Sequence, residues 1–385
     1  MTTERITGLD SATGRAMTLT VEDGRISNIV RAGPLAESEP ETYLSAGLVD
    51  LQVNGFRGLD LNANGMNAQT VSDLVRELLS VGVTTFAPTL ITASENDLLH
   101  RLSCIAEARK ADALAMACIP YVHVEGPHIS PIDGYRGAHP LEHVRPPSLA
   151  EFNRWQAACG DTVGLVTLSP HWDGSAAYIS ELAKRGVVVA LGHTHASAEQ
   201  IHAAAEAGAR LSTHLGNGVA PQIDRHSNPI WPQLADDRLT ASFIADGHHL
   251  PADTLRAMMR AKGADRCVLV SDSVALAGMA PGRYHAAVGG VVDLSADGRL
   301  SMAGTTTLAG SAVSLSTCVE RAVARTGWPL AQILPMVTAN PGAFAGGRGR
   351  LAIGEPADLI QFAWHKTTST LLLEAVWVAG RRFER

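Results

Sequence analysis

Two linked stretches, VVVALGHTH (187–195) and RLSTHLGN (210–217), decide how the rest of the chain is read. Each is an apolar, β-branched run that ends in a polar tip, the pattern of a buried strand entering a loop. Between them, residues 197–207 have the spacing of an amphipathic helix and Gly208 supplies a stop. Strand, helix and parallel strand make a βαβ unit, and ligands are held at the carboxyl ends of such strands. His193 and His214 occupy equivalent places on that edge, and two imidazoles there suggest a metal ion. The plainer reading is two rim histidines that pair by chance among 15 in the chain.

Repetition along the chain favours the metal. Strand-like runs recur at 48–55, 83–90, 119–126, 162–170, 240–247 and 267–274, which with the two above makes eight. Helical stretches fall at 67–80, 96–111, 148–158, 175–185, 197–207, 251–262 and 312–325, several closing on glycine just before the next strand. Eight such units predict an α/β fold, a (β/α)₈ TIM-like barrel with its site at the carboxyl ends of the strands. An open doubly wound sheet is the competing architecture, but it needs no eighth repeat. No GxGxxG or GKS/T stretch points to a nucleotide.

The two ends of the chain read differently. Residues before 46 alternate in short strand-like pieces with a hairpin signal at Asp23–Gly24, and the text after 347 is again short and strand-like. We therefore expect residues 1–46 and 347–385 to pair into a small β-sandwich domain and residues 47–346 to form the barrel.

Composition excludes several classes. A net charge of -7 without a basic stripe argues against nucleic acid. No apolar run reaches membrane-spanning length and the N-terminus has no secretory core, so neither membrane nor export is expected. Five scattered cysteines without a CxxC pair fit reduced core residues of a cytoplasmic protein.

The last residues of the strands carry the chemistry: Gln52 and Asn54, Glu125, His193, His214 with Asn217, Asp246, and Asp272. One carboxylate and two imidazoles are the donors of a Zn²⁺ site that keeps a position open for water. Glu125 has a second reading, as a cap on the loop that starts at Gly126–Pro127. Asp272, in LVSDS, is the candidate general base beside a metal-bound water, against a loop-capping role through Ser273. His139, in GAHP, is placed to polarise a carbonyl, against an ordinary surface position.

Taken together, AGLVDLQVNG, HVEGP, GAHP, GHT, THLGN, IADGHH, LVSDS, TLAGS and GRLAIGEPADLI resemble the N-acetylglucosamine-6-phosphate deacetylases, a branch of the amidohydrolase superfamily. The resemblance covers nearly the whole chain. It implies a barrel with a small β-sandwich and removal of an acetyl group from an amino sugar phosphate. It places Glu125, His193 and His214 on the metal ligands, Asp272 on the catalytic aspartate and His139 on the carbonyl-polarising histidine. Gln52-Val53-Asn54 stands where many relatives have an HxH pair for a second metal, which implies one divalent ion per chain. Zn²⁺ is the first choice, with Fe²⁺, Co²⁺ and Mn²⁺ as alternatives. Asn217, Arg225 and His249 match sugar- and phosphate-contacting positions, Ala138 and Gly218 fall beside them, and Thr307, Leu308 and Ala309 match the backbone that covers the sugar. In the family the arginine reaches the neighbouring subunit's site, which implies a homodimer.

The chain departs from the family pattern at Gly216-Asn217-Gly218-Val219, at His171 where a glutamate is usual, at His195 where Asn or Asp is usual, and through residues 226–237. These positions surround the pocket and spare the metal and base. Two alternatives follow: another amidohydrolase acting on an N-acyl amino acid or cyclic amide, and a non-catalytic scaffold on the same fold.

Overall fold

Eight strands pair in parallel in the order of the sequence: β1 (Leu48–Val53), β2 (Val83–Ile91), β3 (Val122–Glu125), β4 (Val163–Leu168), β5 (Val188–Leu191), β6 (Leu211–Ser212), β7 (Thr240–Ile244) and β8 (Cys267–Val270). They are seen in a computed structural model that describes residues 3–31, 42–286, 290–305 and 307–384. The sheet closes between β8 and β1 by a parallel bridge from Val53 to Ser273, with Asn54 N–H donating to the Ser273 carbonyl at 2.8 Å. Below it the buried Asp50 carboxylate accepts the Ser271 N–H at 3.2 Å. The expected eight-stranded barrel is present.

The principal helices are α1 (Ala68–Leu79), α2 (Glu95–Ala111), α3 (Leu149–Cys159), α4 (Ser175–Lys184), α5 (Ala198–Ala207), α6 (Ile230–Ala235), α7 (Ala252–Lys262) and α8 (Leu315–Thr326). Their starts follow from capping chemistry. Asn67 and Ser197 form reciprocal capping boxes with Thr70 and Gln200, and Ser148 and Ser314 cap through single side-chain bonds. Each helix turns one apolar face to the strands, so that Leu74, Leu78, Leu102, Phe152, Trp155, Ile179 and Ile201 fill the layer between. A separate cluster of Val49, Leu51, Leu165, Ala190, Leu211, Ile244, Val268 and Val270 packs the barrel interior. The barrel is thus a solid core whose only useful surface is its rim. Among the described residues, no helix is long and apolar enough to cross a membrane.

The chain ends build a second sheet of seven strands. Its order runs 381–383, 370–378, 359–365, 42–46, 3–10, 16–22, 25–31, with all neighbours antiparallel except the pair 3–10 and 42–46. The sheet curls so that its edge strand 25–31 meets the segment leading into strand 359–365, where the Ala357 N–H donates to the Gly24 carbonyl and Arg25 bridges Pro356. The bend encloses a core of Ile6, Met17, Leu19, Val21, Ile26, Leu44, Leu359 and Trp377. A further antiparallel sheet of 282–286, 290–294 and 300–302 follows β8 and was not foreseen. Helix 113–118 was likewise not foreseen.

Candidate active site

Three reactive residues lie just beyond their strands in left-handed backbone: His193 with φ 48°, His214 with φ 30° and Asp272 with φ 46°. This region is costly for residues with a Cβ and persists where the surroundings hold it. All three side chains line one cavity. His193 fits there because glycines flank its ring. A Cβ added at Gly218 (φ 60°) would lie 2.8 Å from its Nδ1, and one at Gly137 would lie 3.1 Å from its Cε1. The ring is fixed by Nδ1–H, which donates to the Tyr135 carbonyl at 2.9 Å and leaves Nε2 free to bind.

Glu125, at the end of β3, gathers the others. Its Oε1 lies 2.9 Å from His214 Nε2, 3.5 Å from His193 Nε2 and 3.0 Å from the donating Nε2 of Gln52. One ligand atom from each of Glu125, His193 and His214 lies within 4.8 Å of the others, and all three residues are buried. Burial opposes charge on Glu125, but the adjacent His193 and His214 imidazoles hold it well below the ordinary carboxylate range. Burial likewise opposes charge on His214, and its bond to Glu125 raises it nonetheless. A proton and a cation compete for the same Nε2 lone pair. The donor set therefore suits a divalent ion: two imidazoles, one ionised carboxylate, and outer partners that orient them.

Asp272 faces this triad. Its Oδ1 accepts from Asn54 Nδ2 at 2.8 Å, while burial and then the charge of Glu125 push its carboxyl up to about 6. Ser273 N–H turns instead to Ser271 Oγ, so Asp272 is not the cap of its own loop. His139 is 5% exposed, with its ring 4.4 Å from that of His193. Its Nδ1 contacts the Thr92 hydroxyl at 2.8 Å and receives the Thr92 N–H at 3.4 Å, which leaves the proton on Nε2. Burial lowers it to about 3, so it is a neutral donor. His249 is held through Nδ1 by Asp246 Oδ2 at 2.7 Å and does not cap α7.

These groups open into one cavity of about 790 Å³, which Ala138, Asn217, Gly218, Leu308 and Ala309 also line. Asn217 Nδ2 is buried there without a partner. Arg225 and Thr307 are not among the lining residues, and both are exposed. Asp224 does not hold Arg225 either, since its carboxylate accepts the N–H groups of His226 and Ser227. No lysine or arginine lines the cavity among the described residues. Sequence reasoning missed Asp60 and Asn62, which follow β1, and His285 on the unforeseen sheet. Asp60 and Asn62 sit two apart just after QVNG and were legible as a continuation of that strand end. His285 had no local mark.

A closed parallel barrel that carries a Glu–His–His triad and an opposed aspartate on its carboxyl rim defines a metal-dependent hydrolase class. Within it, the chain belongs to the amidohydrolase family, whose family model matches residues 43–382. It is 33% identical to the N-acetylglucosamine-6-phosphate deacetylase of Bos taurus over 87% of this chain and 83% of that one. It is 29% identical to the N-acetylgalactosamine-6-phosphate deacetylase of Escherichia coli O157:H7 over 94% and 93% of the two chains. A mutant N-acetyl-D-glucosamine-6-phosphate deacetylase from Mycobacterium smegmatis, solved in complex with N-acetyl-D-glucosamine-6-phosphate, superposes with a TM-score of 0.86 at 30% identity, covering 99% of each chain.

Proposed function

We propose that the protein hydrolyses the N-acetyl group of N-acetylglucosamine 6-phosphate or a close amino-sugar relative, giving acetate and the free amine. The observation that carries this reading is the meeting of Glu125, His193, His214, Asp272 and His139 in one cavity. The relatives named above supply the substrate class. Glu125, His193 and His214 would hold one divalent ion, with Zn²⁺ preferred. When bound, such an ion lowers the pKa of a water and polarises a carbonyl.

The remaining work falls to this chain's own side chains. Asn54 occupies Asp272 Oδ1, so Oδ2 takes the proton of the attacking water. His139 donates its Nε2–H to the carbonyl oxygen as negative charge builds there. The new C–O bond forms, the C–N bond breaks, and Asp272 hands its proton to the departing amine. Ala138, Asn217, Gly218, His249, Thr307, Leu308 and Ala309 are assigned to the sugar. Arg225 is assigned to the phosphate of a second copy's substrate, which makes the working unit a homodimer. That assignment is supported by the cavity lining, which among the described residues of a single chain contains no lysine or arginine. Five buried, unpaired cysteines support a cytoplasmic setting.

Acetate and amine release from N-acetylglucosamine 6-phosphate, the unphosphorylated sugar and N-acyl amino acids tests the reading. The phosphorylated sugar should be turned over fastest. Faster turnover of an N-acyl amino acid would make the protein an amidohydrolase of another specificity.

A further inference from the structure

A second pair of histidines sits on the same rim, outside the cavity. His171 follows β4 and His195 follows β5, both are half-buried, and their rings lie 4.2 Å apart with a tilt of 45°. Each Nδ1 is held by a serine: His171 by Ser169 Oγ at 2.6 Å, His195 by Ser130 Oγ at 2.7 Å. The Ser169 hydroxyl donates to Thr194 Oγ1 at 2.7 Å, so it can only accept from His171. His171 therefore carries its hydrogen on Nδ1 and keeps a lone pair on Nε2. Ser130 accepts the Ile132 N–H at 3.1 Å, and its hydroxyl can also take a hydrogen from His195 Nδ1.

This arrangement does not suit an anion. With its hydrogen on Nδ1, His171 presents a lone pair on Nε2 and has no N–H there to offer an anion. It does suit a soft-to-borderline cation. Neutral imidazoles are preferred ligands of Zn²⁺, Ni²⁺ and Cu²⁺, and an Nδ1–H fixed by an outer partner is how ligating histidines are oriented. We propose that His171 and His195 form a second divalent transition-metal site, with their Nε2 atoms as two ligands and water as the rest. It has no carboxylate, so it neutralises none of the ion's charge and binds more weakly than the Glu125 triad. When filled it clips the loop after β4 to the loop after β5, one turn from His193.

The test starts from protein dialysed until its retained metal is constant, then titrated with Zn²⁺ against a chromophoric chelator. Unsubstituted protein should take up one further, weaker equivalent. His171→Asn should abolish it while keeping the retained equivalent and the melting temperature measured without added Zn²⁺. Ser169→Ala should weaken it by about 10- to 100-fold, the usual effect of removing an outer-shell partner. With Cu²⁺ as the probe, the electron paramagnetic resonance spectrum of the added equivalent should show two coupled nitrogens, and His171→Asn should remove that pattern. Should His171→Asn also lose the retained metal, Ser169→Ala decides alone. No further equivalent in unsubstituted protein, or undiminished uptake by Ser169→Ala or by folded His171→Asn, overturns the proposal.

Discussion

At the barrel mouth the buried side chains are Glu125, His139, His193 and His214, tied by hydrogen bonds and held in part on left-handed backbone. In the sheet built from the chain ends they are Ile6, Met17, Leu19, Ile26, Leu44 and Leu359, which make no such bonds and simply exclude water. Burial is comparable in the two regions, but its effect has opposite sign. Each fully buried aliphatic in the sheet contributes about 1.5–3 kcal/mol to stability. Each buried ionisable group at the mouth opposes folding unless it is paired, and is retained for what it does to a proton or a cation. The difference teaches that degree of burial does not reveal a residue's role, whereas its partners do.

The sharpest way to break that contrast is Asp272→Asn. It should keep the fold and the bound metal yet lower kcat by roughly 10² to 10⁴, the range for a positioned acid–base group. In the unsubstituted protein kcat/KM should fall as pH drops through the raised Asp272 value of about 6, because the base must be ionised to act. The residual activity of the variant should lack that acid limb. Full activity would return Asp272 to a structural role.

Leu44→Ala should do the reverse. Leu44 is fully buried in the terminal sheet, so truncation should cost about 2–5 kcal/mol in chemical unfolding while KM, kcat and metal content of the folded fraction stay put. A change in KM would show that the sheet also shapes the site.

Arg225→Ala is expected to act on one substrate only. It should reduce kcat/KM for the 6-phosphorylated sugar by roughly 1.5–3 kcal/mol, the value of a hydrogen bond to a charged group, and leave the neutral sugar unchanged. Equal responses would remove the phosphate assignment.

The smallest effect belongs to Gln52→Leu, which keeps the volume but removes the donor on Glu125 Oε1. Competition with a chelator should show metal affinity lower by about 10- to 100-fold with little change in melting temperature. Unchanged affinity would mean that His193 and His214 alone orient Glu125.

The barrel was legible because its signals repeat: eight apolar runs and glycines behind the helices. Strand ends were less legible. RLSTHLGN looks like one strand to residue 217, but only Leu211–Ser212 pair in β6, because left-handed His214 turns the chain and sends the Leu215 N–H to the Ser242 carbonyl. The sheet 282–302 carried a readable mark: Asp297–Gly298 is the same turn dipeptide as Asp23–Gly24. Its strands are short and largely exposed, so no alternating core pattern supported it. At the site, residue types could be read from single strand ends. The pairing of Gln52 with Glu125 and of Asn54 with Asp272 could not, since it joins residues far apart in sequence that meet only when the barrel closes.

That closure has a consequence for how the protein is made. The strand at 42–46 waits for its partner at 359–365, and β1 waits for β8. During synthesis the early hairpins can pair among themselves, but one barrel edge stays open until β8 is made and one sheet edge until strand 359–365 is made. Open edges recruit other strands, so a nascent or prematurely terminated chain exposes two adhesive borders for most of its time on the ribosome. A chain that stops before residue 359 lacks the strand that pairs with 42–46, and is left for chaperones or proteases to dispose of.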